Sequence, residues 1–159
     1  MLASLAGSWK ERIEAFQNGM NGFMRNPKDL KVFAKAKELS KAVYRLTLSF
    51  PSEEKFELVR QIRRAGSSVL FNLSEGCSRA SQKDFARFVE IALGSAMELE
   101  TQLDLAHDLI VEGVLQKQVA HVVGASESME FAKTVRPVLE MTSEVVKMLI
   151  GLQEGIGQR

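Results

Sequence analysis

The stretch Gln61–Gly76, QIRRAGSSVLFNLSEG, decides the fold. Ile62, Ala65, Val69, Leu73 and Gly76 recur at steps of three and four, with Leu58 one turn upstream, which is the period of a helix burying one stripe. Yet the middle of the stretch thins to Ala65, Gly66, Ser67 and Ser68, and Arg64, Asn72 and Glu75 lie close beside the apolar stripe. Small residues let a neighbouring backbone approach closely. Polar residues bordering a core need partners.

The same rhythm extends along most of the chain. Upstream, Val32, Ala36, Leu39, Val43, Leu46 and Phe50 step by 4, 3, 4, 3, 4, the seam of a helix packed at a shallow angle on its neighbours. Asp29 is expected to place negative charge in its first turn, and Pro51 to end it. Ser52, followed by Glu53 and Glu54, reads as the cap of the helix containing the opening stretch. Ser81 and Asp84 read as a capping-box-like start to a longer helix carrying Phe85, Phe88, Ala92, Ala96, Leu99, Leu103, Ala106 and Ile110, up to Gly113. A last segment starts near Gln116 and resumes after a phase change as Val135, Val138, Met141, Val145, Met148 and Leu152. Pro137 sits at that change and is expected to kink the helix or split it.

The chain of 159 residues suits one domain. Its reading is all-α: an up-and-down four-helix bundle over residues 27–154, with a tail at 155–159 and an extra amphipathic helix in residues 1–26. In that extension Trp9, Ile13, Phe16, Met20 and Phe23 step by 4, 3, 4, 3, while Gly19 and Gly22 weaken the helix, so it needs a surface to lie on.

Two helices carry a second stripe beside the first. On one, Gln61, Arg64, Ser68, Phe71 and Glu75 align; on the other, Ile91, Ser95, Glu98, Gln102, Leu105 and Leu109 do. An isolated bundle has no use for the apolar members, so a subunit interface is expected there. Arg64 and Glu98 are candidates for an ionic lock, and Asn72 and Gln102 can each donate and accept.

The net charge of +1 conceals an asymmetry: residues 1–87 hold 16 Lys and Arg against 9 Asp and Glu, and residues 88–159 hold 5 against 11. Lys31, Lys35, Lys37, Lys41 and Arg45 lie roughly opposite the core stripe of their helix, with Glu38 the one acid among them. Such a face can follow a phosphate backbone or can be an ordinary solvated surface. No aromatic residue is read as interleaving with it, so base stacking is not implied.

Little else carries chemistry. Asp104 and His107 have the spacing of half a di-iron site, but Gln118 stands where the second half needs a carboxylate three before His121. The single cysteine, Cys77, is placed at a helix end as a packed thiol and suits a reducing cytoplasm. No phosphate-binding glycine loop, nucleophile elbow or paired CxxC occurs, and no run of 18 apolar residues. A non-enzymatic chain without metal, cofactor or membrane span is expected. An alternative to nucleic-acid binding is a scaffold that docks a protein through the Trp9–Phe23 helix or through the surface of a ring of subunits.

Three segments together carry a resemblance. DLKVFAKAKELSKAVYRLT at Asp29–Thr47, the opening stretch, and FARFVEIALGSAMELETQLDLA at Phe85–Ala106 closely resemble the four-helix-bundle proteins encoded in intervening sequences of bacterial 23S ribosomal RNA genes. The shared features are QIRRA, an N-x-x-E-G at Asn72, Glu75 and Gly76, and ALGS-x-x-E-x-E-x-Q at Ala92–Gln102. The resemblance implies a homopentameric ring and a non-enzymatic role associated with ribosomal RNA. A related branch serves as accessory subunits of retroelements, binding reverse transcriptase and nucleic acid. It marks Arg63, Arg64, Asn72, Glu75, Gly76, Glu98 and Gln102 as motif residues, with Arg63 projecting from a different face. The N-terminal extension, Pro137 and the near-neutral charge depart from the pattern.

Overall fold

The computed structural model describes residues 11, 25–50, 57–112, 114–115 and 125–157, with the backbone alone over 125–132. Among them are four α-helices and no strand: α1 Lys31–Leu46, α2 Leu58–Cys77, α3 Gln82–Val111 and α4 Ala125–Gly157, with short 3-10 turns at Pro27–Asp29 and Thr47–Ser49. Helix α2 packs on α3 and α3 on α4, while α1 packs on both α2 and α4. Their facing stripes make one core. The expected extension helix of Trp9, Ile13, Phe16, Met20 and Phe23, and the expected cap at Ser52, lie outside the described residues.

All six apolar residues of the α1 seam are buried. Its start differs from expectation. Asp29 belongs to the preceding 3-10 turn, which Pro27 opens and Asn26 caps by accepting a hydrogen bond from the Lys28 N–H at 3.0 Å. Helix α1 begins after Leu30 with no acidic residue in its first turn and no side-chain cap. At its other end the buried Thr47 hydroxyl turns back to the Val43 and Tyr44 carbonyls at 2.9 and 3.0 Å.

Helix α2 explains its own thin middle. The Gly66 carbonyl accepts from the Ser40 hydroxyl of α1 at 2.8 Å, and a Cβ at Gly66 would lie 3.2 Å from a Val43 methyl. At the far end a Cβ on Gly76 would fall 2.8 Å from Phe88 Cβ and 3.3 Å from the Phe85 ring, inside normal contact. The two glycines therefore sit where α2 meets α1 and α3. Ile62, Ala65, Val69, Leu73 and Gly76 are buried as the spacing requires, but Leu58 is half-buried and Val59 takes the inner place.

Helix α3 begins as predicted. Ser81 accepts from the Asp84 N–H at 3.0 Å, and its hydroxyl donates to the Asp84 carboxylate at 2.6 Å. Val89, rather than Phe88, occupies the core, because Phe88 stands over the glycine at the edge of the α2–α3 contact. At 30 residues α3 is roughly 45 Å long.

Helix α4 runs unbroken through Pro137, so the expected split does not occur. Val135 and Val138 are buried on either side of the proline and anchor both turns on the core. Its buried line continues through Thr142, Val145 and Leu149 to Ile156, with Met141, Met148 and Leu152 half-buried. The helix thus passes the expected boundary at 154, and the last turn to Gly157 is part of it. No helix of the described residues is long and apolar enough to cross a membrane.

Candidate functional site

Two surfaces concentrate the residues singled out by the sequence. The first is the outer side of α1. Lys31, Lys35, Lys37, Lys41 and Arg45 are all exposed, because the core stripe takes the opposite side of the helix. Lys35 pairs with Glu144 of α4 at 2.9 Å, and Lys41 with Glu38 at 2.9 Å. The Lys41 hydrogen bond and charge hold the Glu38 carboxyl below its usual range, with Arg45 and Lys37 adding to the effect. Lys31, Lys37 and Arg45 make no ion pair among the described residues.

An open groove of about 550 Å³ runs between α1 and α2 on this side. Lys37, Lys41 and Arg45 border it together with Tyr44 of α1 and Leu70 and Phe71 of α2. Tyr44 is 50% exposed and Phe71 is 65% exposed. The expectation that no aromatic residue accompanies the basic face is therefore corrected. Tyr44 was legible beside Arg45 in the sequence. Phe71 arrives from another helix, and its placement on the second stripe of α2 concealed its position on the groove.

The second surface is the outer seam of α2 and α3, where the two predicted extra stripes meet. Asn72 donates to the Ser68 carbonyl and hydroxyl at 2.8 and 2.9 Å, and the Ser68 and Ser95 hydroxyls are 2.8 Å apart. Ser95 donates to the Ile91 carbonyl at 2.9 Å. One proton per hydroxyl then fixes the direction: Asn72 to Ser68, Ser68 to Ser95, Ser95 to Ile91. Asn72 thus joins α2 to α3 through two serines.

Within one chain, Arg64 and Glu98 form no ion pair among the described residues. Arg64 is exposed and makes no ion pair among the described residues. Glu98 instead accepts from Gln102, one turn along its own helix, at 2.9 Å. That leaves the Gln102 Oε1 buried without a hydrogen-bond partner among the described residues. Glu75 pairs with Arg79, whose guanidinium lies 4.7 Å from the Phe88 ring centre. Arg63 projects elsewhere, as predicted: its Nε donates to Thr47 at 2.7 Å, and its guanidinium lies 5.2 Å from the Tyr44 ring centre. Around the seam, Ile91 and Leu105 are 41% and 51% exposed, while Leu109 is half-buried against the core.

Reactive groups are sparse among the described residues. Burial pushes the Cys77 thiol up to about 11, against an opposing pull from Arg25, so it stays protonated at neutral pH. His107 approaches Asp108 at 3.6 Å, and among the described residues no three potential metal-ligating side chains cluster.

The family model described as 23S rRNA-intervening sequence protein matches residues 28–151. The chain belongs to that family. No curated protein matches it. The matched span takes in α1, α2, α3 and all but the last turns of α4. Both surfaces fall within it, and the 27 residues that precede it do not. Within the matched span, the QIRRA and N-x-x-E-G segments carry Arg63, which donates to Thr47, Asn72, which donates to Ser68, and Gly76, which faces Phe88.

Proposed function

We propose that this protein is a non-enzymatic bacterial bundle of up-and-down topology. In this reading it self-associates in the cytoplasm as a homopentamer and binds ribosomal RNA or a nucleoprotein through the basic side of α1. The observation that carries the reading is the face itself: five exposed cations on one helix, of which Lys31, Lys37 and Arg45 make no ion pair among the described residues. Family membership directs it towards RNA. The closed packing order of the helices and the short Ser78–Ser81 connection support the up-and-down arrangement. Exposed Ile91 and Leu105 around the α2–α3 seam, beside the unmatched Gln102 oxygen, support self-association.

The test is a salt titration of RNA binding on particles whose mass is known from light scattering. About three phosphate contacts per protomer give a log–log slope of roughly −2 to −3. Replacing Lys35, Lys37 and Lys41 with Glu should abolish binding while the helix content stays unchanged. Salt-independent binding, or none to structured or single-stranded RNA, removes the proposal.

A further inference from the structure

We infer that the groove between α1 and α2 receives an unpaired nucleotide, its base against Tyr44 and Phe71 and its phosphates against Lys37, Lys41 and Arg45. This rests on the reading of α1 as the RNA-facing side and assigns it a substrate class: single strands, loops or ends rather than duplex. Two features of the groove call for such a ligand together. Tyr44 and Phe71 leave half or more of their surface to solvent although neither completes the core, and both border the same open groove. The rim beside them is cationic and includes no acid, and the neighbouring Glu38 is already engaged by Lys41.

A flat apolar ring with anionic groups at its edge matches both features, and a nucleotide is that combination. A purely apolar partner would strip water from Lys37, Lys41 and Arg45 and offer them nothing in return. A duplex would satisfy the cations but keeps its bases stacked inside, leaving Tyr44 and Phe71 without a counterpart. The Tyr44 ring is also held in place, because Arg63 lies over it at 5.2 Å while hydrogen-bonded to Thr47. A preset ring loses little freedom when a base arrives.

The experiment compares a 12-nucleotide oligo(U) with an RNA duplex of the same length by fluorescence anisotropy on the full chain. Tyr44→Leu and Phe71→Leu keep an apolar side chain at exposed positions, and thermal melting checks that each variant folds. Each substitution should weaken oligo(U) binding about tenfold, leave the duplex unaffected and leave the salt slope unchanged. Lys37→Gln should weaken both ligands and flatten the slope. If Lys37→Gln acts as stated but the two Leu variants bind oligo(U) as tightly as the parent, the groove assignment is overturned while the RNA-facing side of α1 stands. If the parent binds neither ligand, both readings fall. A fall in particle mass on Phe71→Leu gives the groove to a second copy of the chain and likewise overturns the assignment.

Discussion

Replacing Gly76 with alanine tests how α2 and α3 are held together. The added methyl would sit 2.8 Å from Phe88 Cβ and 3.3 Å from the Phe85 ring. Carbon atoms settle at about 3.5–4.0 Å, so one helix must retreat by about 0.7 Å or more. Phe88 Cβ is fixed to the α3 backbone and cannot swing aside as a side-chain tip can. Forced overpacking of this kind costs about 1–3 kcal/mol. Against it stands the gain in helix propensity from Gly to Ala, about 1 kcal/mol at most and smaller in a last turn. Gly151 of α4 supplies the matching control, because a Cβ there meets nothing within 4 Å. Gly151→Ala should therefore stabilise by about 1 kcal/mol, from propensity alone. The difference between the two variants largely removes propensity and leaves the packing term, about 1–3 kcal/mol. Urea unfolding followed by circular dichroism, at one fixed protein concentration, reads that difference directly. Two variants of equal stability, or a Gly76→Ala protein more stable than its parent, would refute the close contact and with it the reason for a glycine at this position.

Ser81→Ala removes the side chain that accepts from the Asp84 N–H and should cost about 1 kcal/mol in the same unfolding assay, with Ser81→Asp restoring most of it. Cys77 should resist iodoacetamide in the native protein at pH 8 and react at once in 6 M urea. Its raised pKa also sets a sign. Below pH 9 the thiol is protonated folded or unfolded, and between 9 and about 11 only the unfolded chain releases the proton. Stability should fall with rising pH in that window, and Cys77→Ala should remove this share of the fall. Leu105→Glu should lower the particle mass in light scattering without loss of helix, since Leu105 is half exposed in the protomer; an unchanged mass puts self-association elsewhere.

Much of the fold was legible because period and burial coincide. Every apolar seam residue of α1 is buried, and so are five of the six positions read in α2. The misses share a cause: choosing the most apolar residue at a register position instead of the one the neighbours leave room for. Phe88 was favoured over Val89, yet the contact at Gly76 holds its side chain at the edge. Met141 was favoured over Thr142, whose hydroxyl satisfies itself on the Val138 carbonyl at 2.8 Å and so tolerates full burial. Of the two outcomes expected at Pro137, a split is excluded, because buried Val135 and Val138 pack the turns on both sides of it.

The site was less legible than the fold. The cations of α1 were visible in sequence, since one helix carries them all. The groove was not, since its walls come from helices whose azimuths only the packing fixes. The Arg64–Glu98 pairing is expected between copies of the chain; within one chain Gln102 donates to Glu98. Arg63 was placed correctly away from that face, but nothing in spacing alone identified Thr47 and Tyr44 as its neighbours.

The Asn72–Ser68–Ser95 chain has a kinetic consequence. Its donors and acceptors match at a single axial offset of α2 against α3, and only the four residues Ser78–Ser81 separate the two helices. Closing so short a loop costs little entropy, so this hairpin can form early and already aligned. Helices α1 and α4 would then condense on a finished template, making the serine contact a determinant of how fast the chain folds more than of how long it stays folded.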